Sequence, residues 1–427
     1  MNKIILISNY FTPCTLTPSQ RISYWAKHFN RLGFYPTVIT REWKADIKSH
    51  FDTKKAIGEQ VRHEKYETYE VYYLPFQPGI LDRAYVKWGE TSWRPLFLLV
   101  KLLDVLLVSL TLRFTSYANF FPFLQNLVKN EKFKQLLISG EPFYLFKIGY
   151  LARRQLNLNW IADYRDDWST NELQRQRSGG FLRNMIFKLE SYYEKAWVKT
   201  ADYVVSVSKP YTKRISEYVQ IPGLTIENGF DEDILDLPDQ PLFEDFTVVY
   251  SGTLYPAQDI SVILETLMLA KIKGQPFKLV FLGAGFDIKE KRRILKLIDP
   301  EIQEFVQITE RIPRHEALTF IKKSHAVLGI AYGTLKGIPS SKLYEYIGLK
   351  KPVILCPSDG DIMEEILNQV GFGYYANDPQ TCFEHICQLK ALYASGDWGR
   401  AVDGVESKLL HFSRFHQFQK ISSLIHA

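Results

Sequence analysis

Short apolar runs alternate with longer stretches of helical periodicity along most of the chain. Each run is bounded by Gly, Pro, Asp or Ser, a pattern that predicts strands separated by helices. Strands that alternate with helices form parallel sheets through right-handed crossovers. The sequence therefore predicts an α/β protein with two series of strands, at 4–8, 37–40, 136–139, 160–163 and 203–207, and at 246–251, 277–282, 306–308, 326–331 and 353–356.

The two strand series indicate two domains joined by a linker. A chain of 427 residues exceeds what one hydrophobic core usually supports. Between the series, the segment 228–245 is acidic and contains no Lys or Arg. We expect an N-terminal domain at 1–232, a linker at 233–245, a C-terminal domain at 246–400, and a helix within 401–427 that packs back on the first domain. Two doubly wound, Rossmann-like domains bind ligands beyond the carboxyl ends of their strands, which predicts a central cleft as the active site.

The net charge of +6 is unevenly distributed. Residues 1–230 carry 32 Lys and Arg against 21 Asp and Glu (+11), whereas residues 231–427 carry 21 against 26 (−5). A basic first half favours an anionic partner, and its low charge density argues against a dedicated nucleic-acid binder. We expect that partner to be a membrane surface or a phosphorylated ligand.

Composition narrows the class of protein and its compartment. With 46% hydrophobic and 23% charged residues, the chain is globular rather than disordered or fibrous. Its four cysteines form neither a disulfide pattern nor a zinc-ligand spacing, which indicates a reducing compartment. The first apolar run, at 4–7, is too short for a signal peptide. We expect a cytoplasmic protein.

The stretch 95–112 is almost long enough to span a bilayer, but Lys101 and Asp104 lie in its middle. Each charge costs about 2.5–3.5 kcal/mol at a bilayer centre, which disfavours a spanning helix. On a helical projection Lys101, Asp104 and Thr111 fall on one side, and apolar residues cover the rest. Two interpretations remain open: an amphipathic insertion near 93–124 that lies in a membrane interface, or a core helix whose Lys101–Asp104 pair faces a cleft or solvent. The basic charge of the first half favours the membrane.

The segment 337–348 carries the most informative candidate chemistry. A proline and two serines, Ser340 and Ser341, are helix-start signals, so Lys342 and Glu345 lie in the first turns on one face. A helix N-terminus binds phosphate through its free amides and its dipole; Lys342 adds a positive charge, and Glu345 is an acceptor suited to ribose hydroxyls. The alternative, a weak surface ion pair between Lys342 and Glu345, stays open.

This segment resembles the P-S-K-x-x-E stretch of the retaining glycosyltransferases of family 4, which have the GT-B architecture of two Rossmann-like domains. The resemblance runs through most of the chain in order. Residues 163–168 match the D-x-R-D-x-W segment of relatives that transfer amino sugars. Further matches lie at 8–11, 20–21, 207–209, 228–231, 251–254 and 351–354.

The resemblance implies a nucleotide-sugar site in the second domain. Glu345 is expected to bind the ribose, Lys342 and the Ser341 amide the diphosphate, and the loop that contains Arg311 the base. The family generally needs no divalent ion, so neither a metal nor another cofactor is expected. The remaining donor-binding residues expected from the loops are Ser340, Gly252, Thr253, Gly283 and Gly285.

The chain departs from the family pattern at several positions. The first Glu of the family's E-x7-E motif corresponds to Gly337, and the Arg and Lys of its phosphate-binding loop correspond to Thr253 and Gln258. The glutamine resembles the subgroup that acts on N-acetylated amino sugars. No histidine follows Ser139, where residues 140–143 read GEPF. Other cations must compensate, and the candidates are Lys342, Arg311, Arg314 and Lys336.

The first domain is expected to hold the acceptor. Asp166 and Arg165 end a predicted strand, where Asp166 accepts a proton from an acceptor hydroxyl and Arg165 holds a phosphate. The alternative is an ion-paired loop that only shapes the domain interface. Arg21 and Gln20 are expected to contact the acceptor, with Arg21 clamping a phosphate. A solvated arginine at a helix start is the alternative for Arg21.

Together these features predict a cytoplasmic, peripheral-membrane glycosyltransferase that moves a hexosyl or N-acetylaminosugar group from a nucleotide-diphosphate donor. The expected acceptor is a cell-envelope polysaccharide or lipid-linked oligosaccharide precursor, and the expected partner surface is an anionic membrane rather than nucleic acid. Retention of configuration is implied by the resemblance alone. Two alternatives remain: a non-catalytic GT-B scaffold or binding protein, and a nucleotide-sugar epimerase of the same architecture.

Overall fold

The computed structural model describes residues 2–45, 47, 51–88, 94–170, 180–402 and 406–425. The chain divides into two compact units. The first comprises Met1–Ile226 together with Phe418–Ala427, and the second comprises Glu227–Gln417. The predicted linker at 233–245 lies within the second unit.

The first unit is built on a largely parallel sheet. Its strands in the described residues are β1 (Asn2–Ser8), β2 (Phe34–Arg41), β3 (Arg62–Lys65), β4 (Glu70–Leu74), β5 (Gln135–Ser139), β6 (Asn159–Tyr164), β7 (Tyr203–Ser206) and β8 (Gly223–Thr225). They are ordered β3-β4-β2-β1-β5-β6-β7-β8, and only the β3–β4 pair is antiparallel. The order reverses between β1 and β5, which is the switch point at which doubly wound sheets bind ligands.

Helices connect these strands. Those of the first unit in the described residues are α1 (Pro18–His28), α2 (Ile80–Trp88), α3 (Arg94–Leu110), α4 (Phe120–Asn130), α5 (Phe146–Leu156), α6 (Phe181–Val198) and α7 (Lys209–Val219). The end of the chain returns to α1, where the Phe418 ring lies 5.8 Å from the Trp25 ring and 4.9 Å from the Phe29 ring.

The second unit has a wholly parallel sheet. Its strands are β9 (Thr247–Ser251), β10 (Lys278–Leu282), β11 (Val306–Ile308), β12 (Ala326–Gly329), β13 (Val353–Leu355) and β14 (Gly373–Tyr375), ordered β11-β10-β9-β12-β13-β14. Its helices in the described residues are α8 (Ser261–Ile272), α9 (Ile288–Leu297), α10 (Arg314–Lys323), α11 (Ser341–Gly348), α12 (Ile362–Val370), α13 (Pro379–Ala394) and α14 (Glu406–Leu409), and α15 (Arg414–Gln419) runs from this unit into the first. The switch point lies between β9 and β12.

The central strands of both sheets are buried on both faces. Residues Ile4–Ile7 of β1 are fully buried, and alternate residues of β9 face two separate cores, with Val248 in one and Val249 in the other. This explains why the central strands read as continuous apolar runs rather than as alternating patterns. The predicted α/β class with two doubly wound sheets is confirmed, and each predicted strand is present.

Helix α3 directs its charged side toward the protein. Asp104 is buried, and the Lys101 Nζ lies 3.5 Å from Glu190 Oε1 on α6. Burial raises the pKa of Asp104 to about 7, with Asp82 adding to the rise and Lys101 opposing it. Among the described residues, no helix combines the length and apolar character needed to cross a bilayer.

Candidate functional site

The switch point of the second sheet is surrounded by glycine-containing loops. Gly252 follows β9 with φ of 84°, and Gly283 follows β10 with φ of 83°, a left-handed conformation that favours glycine. The two loops approach closely, because a Cβ on Gly283 would lie 3.7 Å from the Gly252 Cα. A Cβ on Gly252 would lie 3.1 Å from Lys342 Cε. These glycines therefore leave room for the side chain that enters from α11.

Helix α11 begins beside this point. Its N-cap residue, Ser340, has an extended backbone, and the serine side chain makes no capping hydrogen bond. Ser341 is exposed. A helix start without a side-chain cap presents amide donors and the positive end of its dipole, which is the arrangement that binds phosphate groups.

Lys342 is folded onto a tyrosine. Its Nζ lies 2.5 Å from Tyr250 Oη and 2.7 Å from the Thr253 carbonyl oxygen, and 4.1 Å from the centre of the Tyr250 ring. Burial lowers the pKa of Lys342 to about 7, and the Glu345 carboxylate opposes this only in part. An anion that reached Nζ would therefore restore the charge that burial disfavours.

Glu345 lies one turn further along α11 and binds an arginine. Its Oε1 accepts a hydrogen bond from Arg314 Nε at 3.1 Å, and Arg314 also lies 3.3 Å from Asp231 Oδ2. Burial alone would lower the pKa of Arg314, but Glu345, Asp231 and Asp233 together raise it above its usual value. A carboxylate has two oxygens with about four acceptor positions, so the pair with Arg314 leaves capacity for ribose hydroxyls.

The 228–231 segment is held by the chain near residue 414. Arg414 Nη1 lies 2.8 Å from Asp231 Oδ1, and Arg414 Nε donates to the Asn228 carbonyl at 3.1 Å. Gly229 has φ of 63°, and a Cβ there would lie 2.7 Å from the Arg414 Cα. The 228–231 segment, one of the matches to the family pattern, thus supports the Arg314–Glu345 pair through Asp231.

Gln258 explains one departure from the family pattern. It is buried, its Oε1 lies 2.9 Å from Tyr250 Oη and accepts from the Tyr255 amide at 3.0 Å, and its Nε2 donates to the Ile330 carbonyl at 3.0 Å. Gln258 therefore braces the loop after β9 and the tyrosine that holds Lys342. Thr253 is exposed and contributes its carbonyl oxygen to the same lysine.

The loops after β10 and β11 lie against each other. The Gly283 amide donates to Thr309 Oγ1 at 2.8 Å, and the Gly285 amide donates to the Thr309 carbonyl at 2.9 Å. The guanidinium of Arg311, an exposed side chain, lies 5.6 Å from the centre of the half-exposed Phe286 ring. This pair offers a flat apolar and cationic surface of the kind on which a base stacks.

Gly337, which stands where the family has a glutamate, adopts a left-handed conformation with φ of 77°. Its amide donates to the Asp361 carboxylate, while Asp359 accepts from the Met363 amide at 2.8 Å and caps α12. Lys336 donates to the Asp359 carbonyl. The two aspartates that follow β13 therefore organise the loop that includes Gly337.

The predicted acceptor residues lie at or beneath the carboxyl edge of the first sheet. Arg21 is buried, with Nε and Nη2 at 3.1 and 3.0 Å from Asp163 Oδ1 and Nη1 donating to the Ile226 carbonyl at 2.9 Å. Asp163 also accepts from Ser139 Oγ at 2.8 Å. A contact between Arg21 and an acceptor phosphate would require this pair to open. Gln20, beside it in the first turn of α1, is half-buried.

Arg165 and Asp166 have different surroundings, because Arg165 is paired with a carboxylate and Asp166 is exposed. Arg165 Nη1 lies 2.8 Å from Glu141 Oε2, whereas Asp166 is exposed. Glu141 follows β5 at the switch point with φ of 80°, and burial raises the pKa of its carboxyl group while Arg165 lowers it. Burial and Glu141 raise the pKa of Tyr10, which follows β1, to about 12. Arg165, Glu141 and Tyr10 thus form a polar group at this switch point.

The sequence did not single out several of these residues. Tyr250 and Arg414 are far in sequence from the groups that they contact, and Glu141 was recognised only as a replacement for histidine.

A cavity of about 250 Å³ at the starts of β5, β6 and β7 is lined by Trp160, Asp202 and Leu424, among others, and contains none of the predicted site residues. No group of three His, Cys, Asp or Glu side chains suited to a metal ion occurs in the described parts of the chain, and the expectation that no metal is needed stays a prediction.

Comparison with known proteins gives similarity in structure but not in sequence. No protein-family model and no curated protein matches the chain. Sucrose-phosphate synthase from Thermosynechococcus elongatus is similar with a TM-score of 0.63 and 13% identity, over 99% of this chain and 98% of that one. The HepE protein of Anabaena in complex with UDP and glucose has a TM-score of 0.56 and 10% identity, over 99% of both chains.

A third similar structure is the pneumococcal O-GlcNAc transferase GtfA in complex with UDP and GlcNAc. Its TM-score is 0.55 at 12% identity, over 99% of this chain and 98% of that one. At these identities the similarity establishes the fold, which is that of GT-B glycosyltransferase structures with two Rossmann-like sheets.

Proposed function

We propose that this protein is a glycosyltransferase that takes a sugar from a nucleoside-diphosphate donor. The observation that carries the proposal is the position of Lys342: this half-buried side chain places its ammonium group beside the uncapped start of α11 at the switch point, where Gly252 and Gly283 keep the adjoining loops close together. The negative charge of a diphosphate stabilises the protonated form of Lys342 and is attracted to the amides at the start of α11.

Each part of the donor has a proposed contact in the second unit. Lys342 and the Ser341 amide hold the diphosphate, with Ser340 and Thr253 at its border. The free oxygen of Glu345 accepts from the ribose hydroxyls while Arg314 fixes its orientation. The base rests on the Arg311–Phe286 surface, and Gly283 and Gly285 let the backbone approach it.

These contacts favour departure of the leaving group. As the glycosidic bond breaks, negative charge accumulates on the diphosphate oxygens, and preorganised cations and amides stabilise that charge without reorganisation. Bound diphosphate raises the pKa of Lys342 above its value of about 7 in the free protein. The side chain is therefore fully charged when the leaving group departs. No step of this account requires a metal.

The proposed acceptor is a cell-envelope polysaccharide or lipid-linked oligosaccharide precursor, bound by the first unit. Its support is the D-x-R-D-x-W match at 163–168, shared with relatives that transfer amino sugars. Asp166 is exposed at the strand end and is proposed to receive the acceptor proton, and Arg165 to hold an acceptor phosphate. Gln20 and Arg21 are assigned to the same site. Retention of configuration is part of the proposal.

A non-catalytic sugar-nucleotide binder is a second candidate, because Gly337, Thr253 and Gln258 replace a glutamate and two cations of the family pattern. The two candidates differ in turnover. A transferase releases nucleoside diphosphate from its donor when an acceptor is added, whereas a binder shows saturable donor binding without release.

The test combines a thermal-shift panel of nucleotide sugars with measurement of released nucleoside diphosphate in the presence of lipid-linked acceptors. A true donor stabilises the fold by about 2.7 kcal/mol at one hundred times its Kd. Glu345→Ala should lose this stabilisation, and Glu365→Ala, an exposed glutamate on α12, should retain it. Stabilisation that is equal in both variants would contradict the site, and stabilisation without turnover would favour the binder.

A further inference from the structure

Helix α3 carries an exposed apolar surface that the first unit does not cover. Its side chains, here called the leucine face, are 38–81% exposed: Leu96, Leu99, Leu103, Leu106 and Leu110. At 100° per residue these positions fall within an arc of about 80°. A helix of a globular protein normally turns such an arc toward the core. In the described part of the chain, nothing buries this one.

The inward contacts of α3 hold the leucine face outward. Asp104 is buried, and Lys101 pairs with Glu190 across the contact with α6. Lys147, itself buried, donates to the Ser109 carbonyl at 3.0 Å and to the Val108 carbonyl. Rotating the helix to bury its leucines would break each of these polar contacts. The exposure of the leucines is therefore built into the packing of α3.

The exposed charges on α3 and on the helices packed against it have one sign. Helices α2 and α6 both pack against α3. The acidic side chains described on the three helices are all buried: Asp82, Asp104, Glu190 and Glu194. The exposed charged side chains described on these helices and directly after α3 are all basic: Arg83, Lys87, Arg113, Lys188 and Lys195. Two apolar side chains near these basic residues in sequence are also exposed, Val86 to 47% and Phe114 to 49%.

We propose that the leucine face docks on the surface of an anionic lipid bilayer. The leucines enter the boundary between headgroups and acyl chains, and the exposed Lys and Arg side chains of these helices contact lipid phosphates. A second copy of the chain is a poor occupant, because its own basic rim would oppose the first. This proposal rests on α3 and the elements that contact it, and it does not depend on glycosyl transfer.

The two kinds of side chain make separable contributions. Each basic side chain near an anionic surface strengthens partitioning about fivefold and is screened by salt. The leucines contribute through apolar burial, which salt does not screen. Removal of three basic side chains should therefore weaken binding about 100-fold at low salt, and removal of three leucines should weaken it at every salt concentration.

The experiment is sedimentation of the full chain with phosphatidylcholine vesicles that contain or lack one quarter phosphatidylglycerol. The leucine variant combines Leu99→Gln, Leu103→Gln and Leu106→Gln, and the basic variant combines Arg83→Gln, Lys87→Gln and Lys188→Gln. The matched control is Leu295→Gln with Leu297→Gln, two leucines of α9 that are 50% and 46% exposed. Circular dichroism and light scattering verify the fold and the oligomeric state of each variant.

Wild type and control should sediment with the anionic vesicles and much less with the neutral ones. The leucine and basic variants should stay in the supernatant with native circular dichroism. Three results would overturn the proposal. The first is wild type that does not bind anionic vesicles, and the second is a leucine variant that binds them as wild type does. The third is a wild type that does not bind vesicles but forms a dimer, which the leucine variant does not form. The last result would identify the face as a contact between copies.

Discussion

The ammonium of Lys342 lies 2.5 Å from the hydroxyl of Tyr250 and 4.1 Å from the centre of its ring. This contact joins the first turn of α11 to the end of β9 at the switch point of the second sheet. A phenol and a carbonyl solvate the ammonium without neutralising it, and burial lowers its pKa to about 7. The site is therefore prepared for an anion, and the proposed donor contacts follow from that property.

Binding of a nucleoside diphosphate should weaken as pH rises above neutrality. Free Lys342 has a pKa of about 7, and a bound diphosphate raises it, so binding takes up a proton in the range between the two values. The affinity for UDP should fall by up to about tenfold per pH unit between pH 7 and 9. The phosphate's own titration near pH 6 lies outside this range. Calorimetric titration measures the effect, and a Lys342→Met variant should show no such dependence.

Gly252→Ala should weaken donor binding, because its Cβ would lie 3.1 Å from Lys342 Cε. Gly274→Ala is the matched control: its φ of 69° imposes similar left-handed strain, but its Cβ would meet open space. Both variants should lose about 1 kcal/mol of stability. Only Gly252→Ala should also raise the donor Kd, by about tenfold. Equal donor affinities in the two variants would remove Gly252 from the site.

Arg21→Ala should destabilise the first unit strongly. It leaves Asp163 buried without its arginine, and breaking a buried ion pair costs about 3–5 kcal/mol. Lys27→Ala, an exposed lysine on the same helix, should change the stability by less than about 0.5 kcal/mol. Urea denaturation measures both. If Arg21→Ala retained full stability and raised only the acceptor KM, the predicted role of Arg21 as a phosphate clamp would be favoured over a structural role for its pair with Asp163.

Asp104 should make stability depend on pH. Burial raises its pKa to about 7, so between its unfolded value near 4 and about pH 7 the folded state binds more protons than the unfolded state. The stabilising effect of the protonated carboxyl group is complete below pH 4 and is lost as pH rises through 7. Asp104→Asn should reduce this slope and raise the stability at pH 8, while Glu194, whose pKa burial also raises to about 7, should maintain the remainder. Thermal unfolding from pH 5 to 8 measures it, with exposed Asp397→Asn as a variant that should keep the slope.

The local pattern was sufficient to predict most of the fold. The central strands are buried on both faces, so β1, β9 and β10 appear as apolar runs bounded by turn residues. Strand β14 was missed because its three residues, GYY, are too short and too aromatic to stand out, and β4 was missed because tyrosines interrupt its apolar run. The orientation of α3 could not be predicted from the sequence either, because it depends on the pair of Lys101 with Glu190 on α6 and on hydrogen bonds from Lys147 on α5 to the α3 backbone.

The candidate site was predicted where one segment carries several of its residues. Lys342 and Glu345 lie on one short helix, so their shared face follows from helical spacing. Their partners do not: Tyr250 is 92 residues from Lys342, and Arg314 is 31 from Glu345. Such contacts depend on the order of strands in the sheet, which the chain does not display locally.

In the donor site that we propose, Lys342 holds the diphosphate of a sugar nucleotide and Glu345 holds its ribose. Calorimetric titration of the full chain with UDP, ADP and GDP at pH 7 tests it most directly, using wild type, Lys342→Met, Glu345→Ala and the exposed control Lys296→Met. We expect one nucleoside diphosphate to bind wild type and control with equal affinity, and to bind each site variant at least about tenfold more weakly. Binding that is unchanged in both site variants, or no binding of any nucleoside diphosphate to wild type, would contradict the account.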